Sequence, residues 1–293
     1  MTSITPKVIA ILRTWVARRS TAAGQHWFDE QVAKLSSSPT EKDVYLALGY
    51  ATRRLGKQDL DLSQEDLAIA QAVRPGWIPS DWSVDQASRV AFVLASFNGD
   101  DANFKARIEQ LFRTADIGEL IAFYRALPLY PAPKLHLARA REGARSGMQP
   151  IFEAVAHRNP YPREEFDENA WNHMVLKALF IGSKLDPVQG LDERANPQLM
   201  RMLCDYAHER WAAGRPVSPE LWRCVGRFAD DAALIDLGRV LETGSLAERQ
   251  AAALALTAST SSRAGDLLAG VPELARGALA GKPDWAAISA ISP

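Results

Sequence analysis

At 293 residues, with 47% hydrophobic and 24% charged side chains, the chain is long enough to fold as one large domain or two ordinary ones and too apolar to be disordered. A formal net charge of -1 gives no general attraction to nucleic acid or to an anionic membrane, so neither is an expected partner. Cys204 and Cys224 are the only cysteines and fall in no CxxC spacing, which predicts neither a metal site nor a disulfide framework and fits a reduced compartment.

Helical periodicity runs through the whole chain. From Pro6 to Arg19, Val8, Ile11, Leu12, Trp15 and Val16 recur at three- and four-residue spacing, and Arg13 interrupts a run already too short for a secretory leader. Pro39-Thr40-Glu41 opens a helix carrying Val44, Leu46, Leu48 and Leu55, and Ser63 followed by acidic residues reads as an N-cap. Further helices are expected over 85–97, 103–113 and 116–127, before PLYPAP breaks the chain. VAFVLASF at 90–97 is among the longest apolar runs and is far short of a membrane span.

Asp167 can cap a helix reaching Phe180, with Gly182 ending it, and Asn196-Pro197 starts another that runs to about Ala213 and Gly214. Ser218-Pro219-Glu220 is expected to start the next helix by the same device. In the tail, Asp230 to Leu241, a TGS turn and LAERQAAALALTAS resemble a HEAT-type hairpin. No sustained period-two alternation occurs, so the expected class is all-α. The favoured architecture is an irregular α-solenoid or right-handed α-α superhelix with armadillo/HEAT-like hairpins, and a globular helical bundle with a HEAT-like tail is the alternative. The chain reads as a single helical domain, 1–293, with N-terminal helices over 1–115, a central block over 116–228 and the hairpins over 229–293.

Motifs for common chemistries fail on spacing. Gly56-Lys57 is followed by Gln58, where a phosphate loop needs Ser or Thr, and GARSG at 143–147 misplaces Ser146 for a nucleophile elbow. His208-Glu209 has Ala212 where a zincin needs its second histidine. No metal and no cofactor is expected.

The central block is the richest in polar and aromatic side chains. Trp171, Trp211 and Trp222 lie among Asn172, His173, Lys177, Asp192, Arg194, Asp205, His208, Glu209, Arg210 and Arg223. Such a mixture is costly to bury unless every polar atom is partnered, so these thirteen residues form the candidate ligand-binding set. Arg201, Asp205 and His208 share one helix face, and His173 and Lys177 approach Asp205, His208 or Glu209 if the two helices pack antiparallel. The plainer expectation pairs Asp205 with Arg201 and Glu209 with Arg210 at the surface, and makes the tryptophans core. The helices over 167–180 and 197–213, with NPYP at 159–162 and GLDERAN at 190–196, are expected to line the functional cleft.

NPYP, AWNHMVLKALF at 170–180, GLDERAN, DYAHERWAAGR at 205–215 and PELWR at 219–223 together resemble the EboA-domain family. ALPLYP at 126–131 and REGARS at 141–146 extend the likeness, and His173 stands where the family pattern favours an amide. The resemblance implies a bacterial gene cluster that also encodes a UbiA-like prenyltransferase, TIM-barrel proteins and a dehydroquinate-synthase-like protein. It implies no reaction for these residues. The resulting expectation is a cytoplasmic, non-enzymatic accessory protein that binds a small anionic or aromatic metabolite, or a protein of the same cluster, in making or exporting secondary-metabolite precursors. The alternative is an enzyme on an aromatic or isoprenoid-like precursor, with His208 and Glu209 as acid and base and Arg210 or Arg223 on an anionic group.

Overall fold

A computed structural model of the chain describes residues 4–37 and 39–291. Among these there are eighteen α-helices, four 3-10 helices and no strand, so the all-α class holds. The helices gather into two compact units, Met1–Phe166 and Asp167–Pro293, and the boundary falls inside the block expected over 116–228. The first unit contains α1 (Thr5–Arg19), α2 (Ala22–Leu35), α3 (Glu41–Leu55), α4 (Gln64–Val73), α5 (Val84–Ala95), α6 (Asp101–Thr114), α7 (Ile117–Arg125), α8 (Leu137–Gly143), α9 (Gln149–Ala156) and α10 (Tyr161–Glu165). The second contains α11 (Glu168–Ile181), α12 (Leu191–Arg194), α13 (Pro197–Ala212), α14 (Asp231–Thr243), α15 (Leu246–Thr257), α16 (Ser262–Ala269), α17 (Pro272–Leu279) and α18 (Trp285–Ile291).

In the first unit α5 is the central element. It is buried on nearly every face and packs against α1, α2, α3 and α7, as an all-round apolar helix must. Ser63 caps α4 as expected, in a capping box with Asp66. The same Asp66 carboxylate accepts from the Trp15 indole at 2.9 Å and from Arg18 at 2.7 Å. One oxygen pair thereby caps a helix and ties α4 to α1. Helix α2 lies outside the sequence expectations because only Gly24, Phe28 and Leu35 of its fourteen residues are buried, too sparse a stripe to set a period. After α7 the prolines allow only 3-10 turns, Leu127–Leu129 and Pro133–His136, joined through Ala132 at φ 46°.

In the second unit α15 is central, and Ala251, Ala252, Ala253 and Ala255 are all buried on it. These small side chains let neighbouring backbone come close. At Gly226 a Cβ would lie 1.9 Å from the Ala255 carbonyl oxygen. Helices α14 and α15 pack together across the expected turn, with Asp230 and Ser245 as their N-caps. Asp167 caps α11 and Gly182 ends it at φ 72°, while Asn196 caps α13 and Gly214 follows it at φ 63°. The helix expected from Ser218 is a correction. The chain forms 3-10 turns over Pro219–Cys224 and Gly226–Phe228, and Ser218 makes no side-chain cap. The physical reason is Glu220, which turns inward, 3% exposed, to accept the backbone N–H of Leu185 and of Asp186 at 3.1 and 2.7 Å. A tighter helix lets Pro219, Glu220, Leu221, Trp222 and Cys224 all be buried within one short segment.

Candidate functional site

Two of the expected site residues form an amide clamp. Asn172, fully buried on α11, donates to Oδ1 of Asn196 at 3.2 Å, and Asn196 donates back to Oδ1 of Asn172 at 2.8 Å. Asn196 Oδ1 also accepts the Leu199 N–H at 2.8 Å, so the same side chain caps α13 and fastens it to α11. Beside them the Arg194 guanidinium lies over the buried Trp171 ring, 4.6 Å from its centroid. Burial lowers the Arg194 pKa, opposed by Asp167 and Glu168.

A second group assembles around Trp211. Its ring stacks on the buried Trp222 at 6.0 Å and 27°, and the Arg239 guanidinium lies 4.2 Å from its centroid. One turn earlier His208, its side chain 53% exposed, directs Nε2 at both oxygens of Asp236, at 2.8 and 2.9 Å. A carboxylate only accepts, so Nε2 carries a proton and Nδ1 faces away from the pair. The one thiol on α13 is a poor nucleophile. Burial, with Asp236 and Asp230 nearby, pushes Cys204 up to about 12.

A third group is an ion network. Arg223 donates to Asp192 through Nε at 2.9 Å and Nη2 at 2.8 Å, and to Asp186 through Nη1 at 3.0 Å. Burial works against its charge, but hydrogen bonds and attraction from Asp192 and Asp186 outweigh it and raise its pKa. Together with Glu220, this fastens the loop over 185–192 to the 3-10 segment. Arg210 donates from Nε to the Pro216 carbonyl at 3.0 Å and so holds the turn that follows α13.

The remaining expected residues point elsewhere. His173, Asp205 and Glu209 are exposed, and Lys177 sits over the exposed Phe180 ring at 5.2 Å. The expected approach of His173 and Lys177 to Asp205, His208 or Glu209 is not made, because His208 turns to α14 instead. The expected Asp205–Arg201 and Glu209–Arg210 pairs do not form either. Arg201 and Asp205 both extend into solvent, and Arg210 is held by its own C-terminal turn. Asn159 of NPYP is scaffold within the first unit, donating to the Tyr124 and Ala154 carbonyls and accepting the Tyr161 N–H.

In the second unit a cleft of about 450 Å³ opens beside Trp211 and takes Arg215, Val217, Arg239, Thr243 and Glu248 into its walls. Trp211 alone comes from the expected set. Arg215 makes no ion pair among the described residues, and Glu248 accepts the Ser245 N–H at the start of α15. Sequence reasoning missed Arg239 and Asp236 because both lie on α14, beyond the motif-rich block. Only their positions as lone charges on an apolar helix, DDAALIDLGRVL, signalled them. No group of three or more His, Cys, Asp or Glu able to hold a metal occurs among the described residues.

These features define an all-helical protein with small clefts, in which no described helix is long and apolar enough to cross a membrane. The chain belongs to the EboA family: the family model described as metabolite traffic protein EboA matches residues 8–226. No curated protein matches the chain, and neither does any solved structure.

Proposed function

We propose that the protein is a non-enzymatic accessory component that binds a small organic anion, held in the cleft beside Trp211. The observation that carries this reading is the combination of a half-exposed Trp211, backed by Trp222, with Arg239 and Arg215 in a cleft of about 450 Å³. That volume lies within the usual range for small-molecule sites. The aromatic face suits a planar or unsaturated body, and two guanidinium groups against one carboxylate, Glu248, favour a negative group on it. The family description as a metabolite traffic protein supports binding over turnover. The family model covers residues 8–226, which takes in Trp211 and Arg215 of the cleft and supports treating the two units as one functional domain, while Arg239 and Glu248 lie beyond it. The two buried free cysteines fit a reducing, cytoplasmic setting alongside the other proteins of the gene cluster.

Native mass spectrometry of the full chain, purified from cells that express its gene cluster, tests this. The wild-type protein is expected to carry a small organic anion that the Arg239→Glu variant lacks, with both melting at the same temperature. An empty wild-type protein, or a ligand retained by the variant, overturns the reading. A second reading, an enzyme using His208 as a base, has the His208–Asp236 pair in its favour. It requires turnover of the co-purified molecule that Asp236→Asn abolishes.

A further inference from the structure

The first unit holds a separate cleft of about 680 Å³ between α3, α5 and α7. Its walls include a buried ion pair on α5 that is also tied to Leu48 and Thr52 of α3. Asp85 and Arg89 are each 5% exposed and meet at 2.7 Å on α5, otherwise the most apolar helix of the unit. A buried pair of this kind is often no more stabilising than well-packed hydrophobic residues of similar volume. Asp85 is fully engaged: its oxygens accept the Ser83 and Thr52 hydroxyls at 2.6 and 3.0 Å as well as Arg89. Arg89 is not. A guanidinium has five N–H groups; Nε reaches the Leu48 carbonyl at 3.4 Å, one Nη1 hydrogen goes to Asp85 and one Nη2 hydrogen to Thr52. Two of the five remain, on a group that lines the cleft.

Gly118 on α7 keeps the way to that guanidinium open. A Cβ there would stand 3.3 Å from Asp116 Oδ1 and 3.5 Å from Arg89 Nη1, so any longer side chain would occupy the space in front of the guanidinium. Lys57 places a second cation on the wall and makes no ion pair among the described residues. The rest of the wall carries Thr52 and Asp116 beside an apolar part with Leu120 and with Ile117, which is 51% exposed.

We propose that this cleft binds a small organic carboxylate with a short apolar body. The carboxylate takes the remaining Nη1 hydrogen of Arg89 and the ammonium of Lys57, and the apolar body lies on Ile117 and Leu120. Bonds from a guanidinium and an ammonium to a carboxylate are charge-assisted on both sides. A phosphate dianion fits worse than a monoanion, because the cleft wall already carries two carboxylates, Asp85 and Asp116, against its two cations. The site lies in the other compact unit from the Trp211 cleft and stands or falls separately from it.

Calorimetric titration of the full chain with hexanoate, hexanol and inorganic phosphate tests the proposal. Gly118→Leu is the blocking variant; leucine is the better helix former, which offsets its Cβ contact with the capping Asp116 Oδ1 at 3.3 Å, and a melting temperature is recorded beside each titration. Hexanoate is expected to bind the wild type and to bind Gly118→Leu at least about tenfold more weakly. Lys57→Ala should weaken it by a smaller factor, and hexanol and phosphate should bind the wild type no better than hexanoate binds the blocked variant. If Gly118→Leu does not fold, the exposed Ile117→Ser takes its place, with weakened hexanoate binding expected. Hexanoate binding that is absent from the wild type, unchanged in the blocking variant or weaker than phosphate binding overturns the proposal. The Arg239→Glu variant should bind hexanoate here as the wild type does.

Discussion

Replacing Glu220 by leucine should be among the more damaging single changes in the second unit. Its Oε1 accepts the backbone N–H groups of Leu185 and Asp186, at 3.1 and 2.7 Å, and leucine fills the space without offering an acceptor. A buried donor left without a partner costs roughly 1–3 kcal/mol. Leu185 is buried and its N–H should carry the upper part of that range; Asp186 is half-buried and water can reach it, so the lower part applies. The sum is about 3–4 kcal/mol. Glu220→Gln keeps one acceptor oxygen in place and loses only the charge assistance, offset by easier desolvation, for a net cost of about 1 kcal/mol. Urea unfolding followed by tryptophan fluorescence reads both variants on one scale. A leucine variant that costs less than the glutamine variant, or the same, would show that the two backbone N–H groups do not depend on the Glu220 carboxylate.

Two glycines in the same unit should respond in opposite directions to alanine. Gly226→Ala sets a Cβ 1.9 Å from the Ala255 carbonyl oxygen, backbone that cannot swing aside, and should destabilise by about 3 kcal/mol or more; Gly265, within α16, has nothing within 4 Å of its Cβ position and should gain about 0.5–1 kcal/mol in the same denaturation assay. Equal effects of the two would show that the contact at Ala255 does not limit the packing. His136 predicts an acid limit. Burial among Phe104 and Tyr130 lowers its pKa from 6.5 despite the hydrogen bond that Nε2 donates to the Pro131 carbonyl. The unfolded chain then takes up the proton before the folded one, so this contribution to stability is full above about pH 6.5 and declines below it. Denaturation midpoints at about pH 7.5 and about pH 5.5 should differ more for the wild type than for His136→Gln, and an equal drop in both would remove His136 from the account.

Much of the scaffold was legible because it is local. Caps at Ser63, Asp167, Asn196 and Asp230 follow from side chains that reach a backbone N–H two or three residues on, and the stops at Gly182 and Gly214 follow from positive φ. Those interactions need no knowledge of the rest of the chain, and helical periodicity needs only one apolar face. The candidate site depended on long-range partners. That Asn172 meets Asn196 across 24 residues, that His208 turns to Asp236 rather than to His173, and that Glu220 reaches back to Leu185 instead of starting a helix are decided by which helices lie side by side. A polar side chain on a helix has the same sequence signature whether it meets water, a carboxylate or a ligand. The composition of the block thus marked where demanding side chains gather, and only the packing of α11, α13, α14 and the 3-10 segment decided which of them neutralise one another and which, such as Trp211 and Arg239, border open space.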